Sequence, residues 1–236
     1  MTSINAPKIN IYPLDNYAIT TKESTNEDNV SVQSKLDFLK SAYEASGIVK
    51  TTEAVILVHE HNFPHVLMLQ IANTYFKLPG TREISILKQD TSTIIPQEHL
   101  SESAVRNTSP NFLNETELGV FRSSLNRYLA PLVSDSSLET EPQDLDWQLG
   151  ELLSVWYRPN FSTELYPYLP AHVSRPKEII RLQLVLLPER RKLCVPRNMN
   201  LVAVPLFELY ENSDRYGAQL AGLAHNLSRF EFALNK

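Results

Sequence analysis

EAVILVHEHNFPHVLMLQIANTYFKLPG, residues 53–80, holds two apolar runs, 55–58 and 66–71, on either side of a polar break at 61–64. Branched and apolar residues flanking a Pro-containing break read as a β-hairpin. The hairpin runs into Asn73-Thr74-Tyr75-Phe76-Lys77-Leu78-Pro79-Gly80, where the strand pattern stops and two aromatics stand side by side. Neighbouring side chains on an extended chain point to opposite faces. One of Tyr75 and Phe76 is therefore expected to pack inward and the other to stay open to a flat ligand.

Outward from the hairpin, helical and extended patterns alternate. Before it, Ile9 and Ile11 flank Asn10 as in a short extended segment. Asp28 or Asn29 is a candidate helix cap. Val32, Leu36, Leu39 and Tyr43 recur at helical spacing, and Gly47 stands where a C-terminal stop belongs. Lys35, Asp37 and Lys40 fall on the other face and read as solvated charges. After Gly80, residues 81–113 are rich in Ser, Thr, Asn, Gln and Glu without periodicity, a long insertion expected to be flexible. Residues 114–130 read as a helix: Asn114 with Glu117 makes a cap-and-return pair, Leu118, Phe121, Leu125 and Leu129 form the stripe, and Pro131 ends it. Residues 134–144 form an acidic loop. Strands are expected at 148–157, 181–187 and 193–195, a helix start at Pro205, and a last amphipathic helix carrying Leu220, Leu223 and Leu227. With no repeat and no linker, residues 1–236 read as one α/β domain with an N-terminal extension over about 1–30.

Composition narrows the function. A chain of 236 residues with 42% hydrophobic and 21% charged residues is an ordinary globular composition, and its apolar runs fall well short of the roughly 18 to 20 residues needed to span a bilayer. The first ten residues lack the basic and apolar pattern of a secretory signal. The single cysteine, Cys194, rules out an intrachain disulfide and reads as a small buried hydrophobe. A net charge of −5 argues against gripping nucleic acid mainly through phosphates. An RNA partner would be held by stacking and base-edge hydrogen bonds, with a second, basic subunit supplying what is missing. His59, His61 and His65 cluster at the hairpin break. Three imidazoles can start a zinc site, but no fourth ligand is evident, and the break equally suits hydrogen-bonding histidines.

VHEH followed by PHVL and LQ over residues 58–70, then FKLPG over 76–80, resembles the small subunit of eukaryotic mRNA 3′-end processing cleavage factor I, the cleavage and polyadenylation specificity factor subunit 5 family. WYRPNF (156–161), YPYLPAHVSRPKE (166–178), NLVAVPLFELYEN (200–212) and LSRF (227–230) extend the likeness over nearly all of residues 9–232, apart from the insertion and the acidic loop. The resemblance implies a Nudix-like α/β/α sandwich around a mixed sheet, without Nudix catalysis. It further implies binding of UGUA in single-stranded pre-mRNA, a nuclear location, a homodimer, and a larger RNA-recognition-motif subunit as partner. No cofactor and no membrane partner are expected.

The Nudix box itself, G-x5-E-x7-R-E-U-x-E-E-x-G-U, lines glutamates along one helix face to bind Mg²⁺. Here Ile86 stands where the first Glu belongs, Arg82-Glu83 leads to Ile86-Leu87, and the helix GVFRSSLNRYLA has no carboxylate after Glu117. No catalytic or metal-binding residue is assigned. The site that the resemblance carries over consists of Glu27, Lys35 and Glu53 as base readers and Tyr75 or Phe76 as stacking ring. Thr74 and the Leu78 backbone flank the pocket, and Tyr216-Gly217 closes over the RNA. Tyr166 and Tyr168 face the large subunit. Lys35 stands where the family has Arg, Tyr75 where it has Phe, and Asn73 where it has Thr. Two other functions fit the same residues: a nucleotide or dinucleoside-polyphosphate binding or hydrolysing protein, and a scaffold subunit with little RNA affinity.

Overall fold

The computed structural model describes residues 6–25, 31–71, 75–83, 113–131 and 146–236. At its centre β3 (Val49–Glu60) and β4 (Phe63–Ile71) form the hairpin. The predicted four-residue break contracts to two residues, His61 and Asn62, both left-handed at φ 50° and 66°. That is the two-residue turn whose twist matches the flanking strands.

Only the turn end of the hairpin is paired, from Leu57 opposite Val66 to Glu60 opposite Phe63. Beyond it the two strands part, and two short strands fill the fork. β5 (Tyr75–Lys77) pairs with β4, and β6 (Gly80–Glu83) pairs with β3, placing Gly80 opposite Glu53. Gly80 is required here. A Cβ on it would lie 2.8 Å from the Glu53 Cα and overlap the Thr52 carbonyl oxygen. Residues 81–83, expected as the start of the insertion, are thus strand, and the rest of the insertion to residue 112 lies outside the described residues.

The sheet continues with β7 (Gln148–Arg158), β8 (Glu178–Leu186) and β10 (Met199–Pro205) in the order β10-β4-β3-β8-β7; β3 and β8 run parallel, the other pairs antiparallel. Alternation on β3 buries both faces. Val55 and Leu57 join Met68, Leu182 and the layer made by α3 (Leu206–Glu211), α4 (Ser213–Tyr216), α5 (Ala218–Ala221) and α6 (Leu223–Leu227). Ala54, Ile56 and Val58 face Phe121, Leu125 and Leu129 of α2 (Glu115–Leu129). This is the expected α/β/α arrangement around a mixed sheet. The expected capping box of α2 is present: Asn114 Oδ1 accepts from the Glu117 N–H and Glu117 Oε2 accepts from the Asn114 N–H.

Three expectations change. The N-terminal segment is woven into the fold: β1 (Lys8–Ile11) pairs with β11 (Glu231–Leu234), and β2 (Tyr17–Lys22) with β9 (Arg191–Pro196), both parallel. The first helix, α1 (Val32–Ser46), is capped by Ser31 rather than by Asp28 or Asn29, which lie outside the described residues. Its buried face is also narrower than expected: Leu39 and Ala42 are buried, whereas Val32 is 60% exposed. The expected last helix, carrying Leu220, Leu223 and Leu227, is two short helices, α5 and α6, divided at Gly222. The acidic loop at 134–144 is outside the described residues.

Candidate nucleic-acid interface

The fork of the hairpin meets α1 on one side and α4–α5 on the other. Tyr75 and Phe76 part to opposite faces of β5. Tyr75 is 47% exposed, with the Lys35 ammonium 3.5 Å from its ring centroid. Such an exposed cation–ring contact is worth roughly 0.5–1 kcal/mol, less than the roughly 1–3 kcal/mol of a stacked base, so a base can displace Lys35 from the ring. Phe76 turns inward. It packs on the core layer, its centroid 5.2 Å from that of Tyr216 at a tilt of 55°. The Arg215 guanidinium lies 5.2 Å from each of those two rings.

Glu53 is half-buried, and its Oε2 accepts a 2.7 Å hydrogen bond from Gln219 Nε2. Burial, and then the charge of Glu178, push its carboxyl up to about 7; the Gln219 hydrogen bond, Arg82 and Lys77 pull the other way and are outweighed. Near neutral pH the group is therefore divided between an ionised acceptor and a protonated form that can donate. Tyr216 donates to Glu208 Oε1 at 2.6 Å, and burial together with Glu208 pushes its phenol up to about 12, so it remains a donor.

Gly217, exposed and left-handed, turns the chain from Tyr216 into α5, the helix that carries Gln219 to Glu53. Leu78 is 3% exposed with its side chain in the core, so only its backbone borders the site. Glu27 and Thr74 lie outside the described residues. The structure thus gathers Lys35 and Tyr75 into one contact, Phe76 and Tyr216 into a second, and Glu53 into a third with Gln219. Arg215, Glu208 and Gln219 were not singled out from the sequence. Gln219 and Glu53 are 166 residues apart and no local pattern connects them; the one available signal for Arg215 was its adjacency to Tyr216.

The profile of a family described as NUDIX_2, nucleotide hydrolase, matches residues 7–108 and 106–230. Pre-mRNA cleavage factor Im 25 kDa subunit 2 of Arabidopsis thaliana is 39% identical over 224 residues, 95% of this chain and 94% of that protein. Cleavage and polyadenylation specificity factor subunit 5 of Dictyostelium discoideum is 36% identical over 89% of this chain and 88% of its own length. Pre-mRNA cleavage factor Im 25 kDa subunit 1 of Arabidopsis thaliana is 33% identical over 95% and 85%. The chain belongs to the cleavage factor Im 25 kDa subunit family. Among solved structures, the NUDIX domain of Shewanella oneidensis NrtR complexed with ADP ribose is similar at 12% identity and a TM-score of 0.40, covering 79% of this chain and 95% of that one.

In this member of the family, two buried glutamates, Glu117 and Glu178, are already engaged. Glu117, 4% exposed, accepts from Lys50 Nζ at 2.7 Å, from Arg181 Nη1 at 2.9 Å and from the Asn114 N–H at 3.0 Å. Burial pushes its carboxyl up, but Lys50, Asn114 and Arg181 together outweigh it and hold it below the usual range. Glu178, 1% exposed, accepts from Thr51 Oγ1 at 2.7 Å and Arg158 Nε at 2.9 Å, and pairs with Arg82 Nη2 at 3.3 Å. A metal ion would have to displace two cations from either carboxylate.

The histidines take up separate bonds. His59 Nε2 contacts the Asn235 carbonyl at 2.7 Å and His65 Nδ1 the Phe63 carbonyl at 2.8 Å, while His61 occupies the turn. On the far edge of the sheet, Tyr166 is bridged to Tyr157 of β7 by two backbone hydrogen bonds of 2.7 and 2.9 Å. Its ring lies 5.9 Å from that of Tyr168, which is 59% exposed. A shallow groove lined by Leu152, Val155, Tyr157 and Pro167 adjoins this pair.

Proposed function

We propose that this chain is the non-catalytic small subunit of a nuclear pre-mRNA cleavage factor and reads a UGUA-like single strand at the fork of its central hairpin. The observation that carries this is the placing at one hairpin fork of an exposed ring, Tyr75 on β5, and a half-buried acceptor, Glu53 on β3, with an inward Phe76–Tyr216 pair. Rings give every base a stacking face, and a carboxylate accepts from the N–H groups of guanine and uracil, which gives base choice to a chain of net charge −5. The names of the curated relatives support the processing role. The cation-saturated Glu117 and Glu178 support loss of metal chemistry. A homodimer would present two such sites, and the Tyr166–Tyr168 surface would receive the larger RNA-recognition-motif subunit.

The test is titration of a labelled UGUA strand against Tyr75→Ala, Phe76→Ala and Glu53→Ala. Loss of one stacked base costs roughly 1–3 kcal/mol, so Tyr75→Ala weakens binding by about 5- to 150-fold with an unchanged circular dichroism spectrum. If all three variants bind as wild type does, the pocket is elsewhere. Incubation with Mg²⁺ and diadenosine tetraphosphate separates the hydrolase reading, on which turnover is expected, from the present one.

A further inference from the structure

In a chain of net charge −5 that holds RNA, a cation placed where the strand's phosphates pass offsets repulsion of the backbone. Most cations near the fork are committed. Lys50 is bonded to buried Glu117, Arg82 is paired with buried Glu178, and Lys35 is already assigned to the bases. Arg215 differs. Its side chain is 57% exposed, and its contact with Glu208, 3.5 Å, is at the limit for a hydrogen bond. Glu208 Oε1 already accepts the much shorter bond from the Tyr216 hydroxyl. An exposed pair of this kind contributes between nothing and about 1 kcal/mol, so it offers little resistance to exchange.

What holds Arg215 in place is the ring pair. The faces of Phe76 and Tyr216 attract the cation without consuming its N–H groups. The planar fork of donors is left for an oxyanion, and a guanidinium takes a phosphate through two parallel hydrogen bonds. We propose that Arg215 is the phosphate-contacting residue of this interface, gripping the backbone of the strand whose bases occupy the Tyr75–Glu53 fork. The proposal rests on the RNA-binding reading above and adds to it a sequence-independent contact. Arg215 then sets affinity and salt dependence, while Glu53 and Tyr75 set the choice of base.

The experiment is a titration of a labelled UGUA strand and its base-scrambled counterpart over a series of NaCl concentrations, using wild type, Arg215→Gln, Arg215→Lys and, as a distant exposed control, Arg229→Gln. A single phosphate contact contributes about 0.7 to the slope of log affinity against log salt on a single strand. Arg215→Gln is expected to weaken both strands several-fold, to reduce that slope by about 0.7 and to leave the ratio between the strands unchanged. Arg215→Lys keeps the slope, and Arg229→Gln matches wild type. A role confined to propping Tyr216 would lower affinity without moving the slope, and that result overturns the proposal. So does an Arg215→Gln slope equal to wild type while wild type still prefers UGUA. If wild type binds both strands equally and the slope still falls in Arg215→Gln, the base-reading proposal alone is lost. Absence of any RNA binding by wild type removes both.

Discussion

On the proposed reading, Glu53 ties base recognition to pH. Its carboxyl is raised to about 7 in the folded chain, chiefly by burial and by Glu178, against an ordinary value of 4.5. Accepting from a base N–H requires the ionised form, so UGUA affinity should climb from pH 6 to pH 8 and level off above. Glu53→Gln should flatten that profile. The stability effect has the opposite sign. A raised carboxyl binds a proton more readily when folded, so its contribution is complete below pH 4.5 and is lost as pH rises through about 7. Glu53→Gln should accordingly raise the melting temperature at pH 8 relative to wild type and leave it nearly unchanged at pH 4.5. The proximity of Glu178 that helps to shift Glu53 was not legible in the sequence, since it comes from strands joined only in the folded sheet. Alternation did show that Tyr75 and Phe76 face opposite ways. Which one faces out depends on α4–α6, far along the chain, and had to be seen.

The elements divide the same way between what local pattern reveals and what it hides. The β3–β4 hairpin was legible because its two apolar runs leave little else for a chain to do, and α2 because Asn114 and Glu117 form a complete cap. The short helices α5 and α6 read as one in the sequence. Leu220, Leu223 and Leu227 keep helical spacing across the break at Gly222, whose backbone stays right-handed at φ −70°. The parallel pairs β1–β11 and β2–β9 join segments at opposite ends of the chain, a contact no window of sequence contains. Glu117 shows how one residue spans both categories. Its capping role was readable, but its bonds to Lys50 and Arg181 were not. Glu117→Gln removes the buried charge that balances Arg181, itself buried, and the partly exposed Lys50, a change that typically costs about 3–5 kcal/mol. Urea denaturation at pH 7 should show a loss of that order. Because the folded carboxyl is held low, its contribution is present above pH 4.5 and lost as pH falls through the folded value, so the gap between variant and wild type should shrink in acid.

As a whole, the molecule keeps the layered Nudix architecture and carries at its hairpin fork a set of rings and one tunable carboxyl. A homodimer with two such forks would bind a strand carrying two UGUA motifs through a raised effective concentration. Analytical ultracentrifugation should give twice the chain mass of 26.9 kDa, and a tandem strand with a sufficient spacer should bind at least about tenfold more tightly than a single motif. Equal affinities at every spacer length would argue for independent single sites. The most direct measurement remains the simplest: equilibrium titration of the wild-type chain with a labelled UGUA strand and with the same bases in scrambled order. The account predicts saturable binding of the first at a clearly lower dissociation constant than the second. Indistinguishable curves would contradict it.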